Sequence, residues 1–230
     1  MNRQLALAVQ LNDEATLTDF CWGDNALLQQ QLQLTLCGDG ERFIYLWGIP
    51  GSGKSHLLQA CCQAASAEPS AIYLPLNLLK DLGPEVLEGI DDHTFIGIDD
   101  IDAIATDRRW EEALFHLYNR IRDNENTTLI ITGHCPPALS PVCLPDLQSR
   151  LSWGLVIQLN ELCDHDKINT LKLHAHQRGF DLPTSVGQFL LNRCARNMHD
   201  LHALLNRLDE ASLIAQRKIT IPFVKGILGI

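Results

Sequence analysis

The stretch "GIPGSGKS" at residues 48–55 carries the clearest chemistry in the chain. Its spacing is G-x-x-x-x-G-K-S, preceded by the apolar run "FIYLW" and followed by the helical pattern "HLLQACCQAA". Glycines at this spacing let consecutive N–H groups turn toward a bound anion, and a helix N-terminus adds a favourable dipole. Pro50, Gly51, Ser52, Gly53, Lys54, Ser55 and His56 are the candidate phosphate-loop contacts. Lys54 would reach the β- and γ-phosphates of a nucleotide, and Ser55 would ligate Mg2+.

A second feature is "TFIGIDD", which ends in Asp99 and Asp100. An apolar strand that delivers a carboxylate at its C-terminal end supplies the second metal contact of a nucleotide site. Asp99 would hold Mg2+ through water, and Asp100 would polarise an attacking water. The bland alternative is a pair of helix-capping aspartates. Thr132 closes the apolar run "LIIT", where its hydroxyl could sense the γ-phosphate or the attacking water.

Arg150, in "LQSRLSWG", precedes the last apolar run and could point out of the subunit. As an arginine finger it would neutralise transition-state charge on a partner's phosphates, an effect worth roughly 10³–10⁵ in rate. Its bland alternative is a surface ion pair. A phosphate-loop kinase and an assembly ATPase both use such parts. The order of the segments, with helices after the final strand, favours the assembly ATPase.

Five β-rich runs must position these groups: 42–47, 71–75, 94–98, 128–132 and 154–159. They are continuously apolar, as strands covered on both faces are. Residues 55–67 read as a helix after the loop, and Trp110, Leu114, Leu117 and Ile121 share one helical face. The alternation predicts an α/β fold with a five-stranded parallel sheet. Helices are predicted over 164–178, stopped by Gly179, over 185–195, and from an Asn197 cap to about Arg217. The expected division is a tail over 1–12, an α/β domain over 13–160 and a small all-helical domain over 161–230.

The charge balance narrows the partners. The net charge is −10, but residues 1–149 hold 8 Lys/Arg against 21 Asp/Glu, whereas residues 150–230 hold 10 against 7. An acidic body disfavours strong autonomous duplex binding. The mildly basic end could meet a neighbour's acidic face. The eight cysteines contain no C-x-x-C pair, so zinc ligation is not indicated and free thiols in a reducing cytoplasm are expected. No apolar run approaches the roughly 18 residues a membrane span needs. His134, His174 and His176 show no ligand spacing and read as surface or packing residues.

The opening strip "RQLALAVQL" at 3–11 is too short and too polar for a signal peptide. On residues alone it is equally an edge strand or a peptide for another protein's pocket. In the second case Gln4 would satisfy the pocket rim, with Leu5, Leu7 and Val9 as apolar anchors.

Taken together, these motifs resemble the AAA+ ATPase family, on the branch formed by the replication initiator DnaA and its regulatory homologues of Hda type. "LTDFCWGDN" (17–25) is similar to the segment preceding the phosphate loop in this group, which implies Trp22, Gly23 and Asn25 near the adenine. "LYNRIRDN", "TGHCPP", "LPDLQSRLSWG" and "ITIPFVKGIL" carry the more specific likeness, which covers nearly the whole chain. The resemblance implies an AAA+ phosphate-loop NTPase core with a helical lid. It also implies ADP or ATP with Mg2+, and partnership with DnaA and the DNA polymerase III sliding clamp. On this reading "QLALAV" is the clamp-binding peptide.

The implied function is negative regulation of replication initiation, in which Arg150 stimulates hydrolysis of DnaA-bound ATP. A loader of another ring protein and a nucleotide-gated adaptor are the alternatives. One departure concerns the third lid helix, where the family's phosphate-contacting arginine is replaced by His199 in "NMHDL", with Arg196 nearby. A shorter, usually neutral side chain implies weaker γ-phosphate sensing. The family's catalytic glutamate is also missing after Asp99–Asp100, which implies slow self-hydrolysis. Replacing Gln4 and Leu5 together with Ala should abolish retention on a DNA-loaded clamp in a pull-down, while nucleotide affinity stays within twofold of wild type.

Overall fold

The computed structural model describes residues 15–65, 71–124, 126–194, 196–215 and 217–229. Among them the chain forms two compact units. The first holds residues 15–20, Asn25–Ile49 and Lys54–Leu159. The second holds Cys21–Asp24, Pro50–Gly53 and the chain from Asn160 onward.

The first unit is an α/β layer structure. Its elements in chain order are α1 (Ala26–Leu36), β1 (Phe43–Trp47), α2 (Lys54–Ala64), β2 (Ala71–Pro75), α3 (Leu76–Leu79), β3 (Phe95–Asp99), α4 (Arg108–Asp123), β4 (Thr128–Gly133), α5 (Pro145–Leu151) and β5 (Leu155–Gln158). The strands form one five-stranded sheet in the order β2-β3-β4-β1-β5, with every pairing parallel. Apolar runs become strands here because both faces of a parallel sheet are covered by helices. All five residues of β3 are buried.

Register fixes which residues reach the same level. Leu46 pairs with Thr132 and Trp47 with Gly133, while Ile98 pairs with Ile131. The carboxyl ends of β1, β3 and β4 therefore present the start of the phosphate loop, Asp99 and Thr132 along one edge.

Helix α4 follows from its amphipathic pattern. The Asp107 side chain accepts from the N–H groups of Arg109 and Trp110 and starts it. Its apolar stripe of Trp110, Leu114, Leu117 and Ile121 is buried as expected. These residues join Leu74, Ile96, Ile98, Leu129 and Ile131 in the main core. Cys61 and Cys62 are buried on α2, and burial pushes the Cys61 thiol up to about 12. Both behave as small apolar residues.

The second unit contains α6 (Asp164–Gln177), α7 (Thr184–Arg193), α8 (Met198–Ala215) and α9 (Ile221–Leu228). Leu171, Leu190, Leu201, Leu205, Leu208 and Val224 form its core. Gly179 ends α6 at φ 86°, with Phe180 N–H donating to the Ala175 carbonyl, a left-handed stop that suits glycine. Asn197 caps α8: the Asp200 N–H donates to Asn197 Oδ1 at 2.8 Å.

Helices α1, α5 and α9 go beyond the periodicity reading. Helix α5 has only seven residues, with a proline at its start, so its pattern is too short to register. Helix α9 opens on "TIP", two β-branched residues and a proline, and the Thr220 hydroxyl caps it by accepting from the Phe223 N–H. No helix among the described residues is long and apolar enough to cross a membrane.

Leu114 is fully buried between α4 and the sheet. Leu114→Ala should cost about 2–5 kcal/mol in urea unfolding through lost transfer energy and the cavity left behind. A loss below about 1 kcal/mol would contradict this packing.

Candidate functional site

The phosphate loop leaves β1 at Gly48, whose N–H donates to the Gly133 carbonyl. Gly51 and Gly53 have φ of 79° and 101°, left-handed backbone that an L side chain rarely adopts. Gly51 is needed twice over, since a Cβ there would come within 2.9 Å of Asn197 Cβ in the second unit's own packing. The Ser52 hydroxyl is buried without a hydrogen-bond partner among the described residues. No acidic side chain lies in the first turn of α2.

Lys54 is buried, and its ammonium donates to the carbonyls of Gly48 at 2.6 Å and Ile49 at 3.0 Å. Burial lowers its pKa, and the charges of Asp99, Asp100 and Asp102 oppose that shift. Two left-handed glycines, an orphaned hydroxyl and a buried lysine fit a nucleoside polyphosphate. Lys54 and the loop amides would hold its phosphates, while Ser55, exposed on α2, and Asp99 would hold Mg2+. The ion would offset phosphate charge. His56 is half-buried, its ring 5.9 Å from that of Phe20 in the 17–25 segment.

The carboxylates are arranged around one hydroxyl. Thr132 Oγ1 donates to Asp99 Oδ1 at 2.5 Å and accepts from the Asp100 N–H at 2.9 Å. Tyr73, on the neighbouring strand β2, donates to Asp99 Oδ2 at 2.8 Å. Burial first, then the Asp99 charge, pushes the Tyr73 pKa well up, so its hydroxyl keeps its proton. Asp100 sits at φ 60°, ψ 62°, a left-handed conformation uncommon outside glycine. Its Oδ1 is buried without a hydrogen-bond partner among the described residues. Burial raises the Asp100 pKa, with His134 pulling it down and Asp102 and Asp99 pushing it further up.

His134 is exposed, as expected of a surface residue, but it also makes specific contacts. Its ring lies between the two carboxylates, Nε2 3.6 Å from Asp100 Oδ1 and Nδ1 3.5 Å from Asp102 Oδ2. Its N–H also donates to Asp102 Oδ2 at 2.7 Å. Only its position two residues beyond Thr132 hinted at this. Tyr73 was likewise missed, because strand adjacency brings it in, and so was Asp102, in the turn two residues after Asp100, because no motif marks it.

Arg150 lies in the last turn of α5 and is half-buried. Its Nε donates to Asn119 Oδ1 at 3.1 Å, and its guanidinium carbon stands 5.9 Å from the Phe115 ring and 5.6 Å from the Trp153 ring. Trp153 is 52% exposed. The finger candidate is thus braced on its own subunit rather than projecting from a loop.

In the second unit Trp22 is half-buried, and a Cβ on Gly23 would meet Leu162 Cδ2 at 2.8 Å, so the 21–24 segment lies against the start of the helical unit. Asn25, 3% exposed, precedes α1. His199 is exposed in the first turn of α8. Arg196 is exposed too and pairs with Asp164 at 3.1 Å. Gln4, Leu5, Leu7 and Val9 lie outside the described residues.

Residues 44–153 match the family described as ATPases associated with various cellular activities (AAA). Residues 164–228 match the Hda lid domain. The chain is a Hda/DnaA-like AAA+ protein. The fold of this AAA+ protein resembles domain III of the Thermotoga maritima replication initiation protein DnaA, with a TM-score of 0.81 at 20% identity, covering 96% of this chain and 98% of the other. It also resembles AMPPCP-bound DnaA from Aquifex aeolicus, with a TM-score of 0.72 at 22% identity over 88% of this chain and 67% of the other. The Thermotoga maritima RuvB Holliday junction branch migration motor scores 0.72 at 15% identity, over 96% and 73%. At these identities the likeness is one of fold.

Within the AAA+ body, the Thr132 hydroxyl donates to Asp99 and accepts from the Asp100 N–H, while the Tyr73 hydroxyl donates to Asp99 and also meets the Gln59 side chain. Thr132→Val should destabilise by about 1–3 kcal/mol in urea melts, because it leaves the part-buried Asp100 N–H without its acceptor and the buried Asp99 without one of its donors. Tyr73→Phe removes a single donor and should cost less. Equal losses would show that the Asp100 N–H finds another acceptor.

Proposed function

We propose that this AAA+ chain is an Hda-type negative regulator of replication initiation. A nucleotide, ADP or ATP with Mg2+, occupies the loop around Lys54 and Ser55. Gln4, Leu5, Leu7 and Val9 tether the chain to the DNA-loaded sliding clamp. Arg150 enters the ATP site of DnaA and stimulates hydrolysis there, leaving the initiator as its ADP form. The observation that carries this reading is the Hda lid match over 164–228 beside an AAA+ body.

Other features support it. The Asp99 oxygens both accept hydroxyl hydrogen bonds and Asp100 faces His134, which agrees with weak self-hydrolysis and action in trans. His199 in place of an arginine, with Arg196 paired to Asp164, favours ADP over ATP as the working ligand. Tethering supplies local concentration, so a weak docking contact with DnaA suffices. The site of action is then the nucleoid, reached through the clamp.

The test is phosphate release from ATP-loaded DnaA mixed with this protein and clamp-loaded DNA, with the clamp omitted in a parallel reaction. Release should depend on the clamp. Arg150→Ala should lower it by roughly 10³-fold or more while clamp retention is unchanged. No release from wild type under either nucleotide rejects the regulator reading and favours a loader or adaptor.

A further inference from the structure

We infer that Glu111 is a positioning residue for the Arg150 finger. The inference rests on the proposed action of Arg150 in trans.

Glu111 is 1% exposed, on the first turns of α4. A carboxylate so buried needs several donors to replace lost hydration. Main-chain N–H groups supply them. The Thr106 N–H donates to Oε1 at 2.8 Å, the Cys143 N–H is shared between Oε1 at 3.0 Å and Oε2 at 3.1 Å, and the Leu144 N–H donates to Oε2 at 2.7 Å. Hydrogen bonds to an ionised acceptor are about twice as strong as neutral ones.

These bonds fall at the start of α5, which lacks a side-chain cap of its own; Gln148 Nε2 makes a further tie, to the Pro137 carbonyl at 2.9 Å, further along the helix. The helix is seven residues long, begins at a proline that lacks an N–H, and has no side-chain cap at Leu144. A helix this short has no intrinsic stability. Its direction must come from anchors outside it. Leu147 and Leu151 supply buried apolar contact, which is tolerant of small rotations. Glu111 supplies directional bonds at the start, and Asn119, two turns further along α4, holds Arg150 at the end. The finger helix is thus clipped to α4 at two points. Loss of the first lets α5 pivot about the second, and a displacement near 1 Å is enough to degrade transition-state contacts.

The other oxygen-bound segment is informative. Thr106 sits at φ 72°, a strained value for a β-branched residue, and this conformation aims its N–H at Glu111. A surface carboxylate kept only for solubility would not be matched by backbone strain in its partner.

The experiment titrates wild type, Glu111→Gln and Leu144→Pro against ATP-loaded DnaA on clamp-loaded DNA and reads the saturating rate of phosphate release. Leu144 has φ −78°, which suits proline, so that variant deletes one donor and keeps the carboxylate. Both variants should lower the plateau at least tenfold with the half-saturating concentration within threefold of wild type. A merely structural role would leave the plateau reachable at higher protein concentration. In parallel, the chain labelled with 5-fluorotryptophan gives four resonances, one per Trp, with that of Trp153 identified by Trp153→Phe. In either variant this resonance should move toward its position in Arg150→Ala. An unmoved Trp153 resonance, or a plateau within twofold of wild type in both variants, overturns the inference. A wild-type protein that stimulates nothing rejects the finger reading instead, and the Trp153 resonance still decides whether Glu111 places Arg150.

Discussion

The hydroxyl of Thr132 is the interaction on which the site depends. It donates to Asp99 and accepts from the Asp100 N–H, so one side chain on β4 sets both the acidic carboxylate and the strained residue after it. The geometry exists only because β4 lies between β1 and β3, one strand from the phosphate loop and one from Asp99. A valine has the shape but neither donor nor acceptor, and a serine lacks the branched body that a buried strand favours.

Charge explains why this corner needs such bracing. Asp99, Asp100 and Asp102 lie within four residues of one another, beside the buried Lys54. Burial disfavours the charged forms of Lys54 and Asp100 alike, while each favours the charged form of the other. Hydroxyl donors from Tyr73 and Thr132 stabilise Asp99 without adding positive charge. The positive charge of Lys54 therefore stays available to phosphate oxygens.

Strain brackets the segment that follows. Asp100 and Thr106 are the two non-glycine residues with positive φ among the described residues, and each offers its N–H to a side-chain oxygen, of Thr132 and of Glu111. The turn between them joins the acidic strand end to α4, and α4 in turn braces α5 and Arg150. The strained turn, α4 and α5 are thus linked by hydrogen bonds within the first unit. On the proposed reading of Arg150 as a finger, such bracing matters, since only a preorganised cation contributes fully to a transition state.

The division between sequence and tertiary structure follows the range of each interaction. Local chemistry was legible in the chain. The glycine spacing of 48–55, the strand that delivers Asp99, the apolar stripe of α4 and the Asn197 cap all depend on residues a few positions apart. Their physics, backbone turn, burial and helix capping, is short-range, so composition and spacing determine them. Strand order was not legible, because parallel strands joined by crossovers leave no trace of which neighbour they choose. That order brings Tyr73 to Asp99, Thr132 to both aspartates, and His134 between Asp100 and Asp102. Arg150 was visible as a cation ahead of the last strand, but its bracing by Asn119, Phe115 and Trp153 was not, since α5 is too short to announce itself. No local motif singles out Glu111. Only the folded chain shows it buried, because the N–H groups it serves come from segments up to 33 residues away.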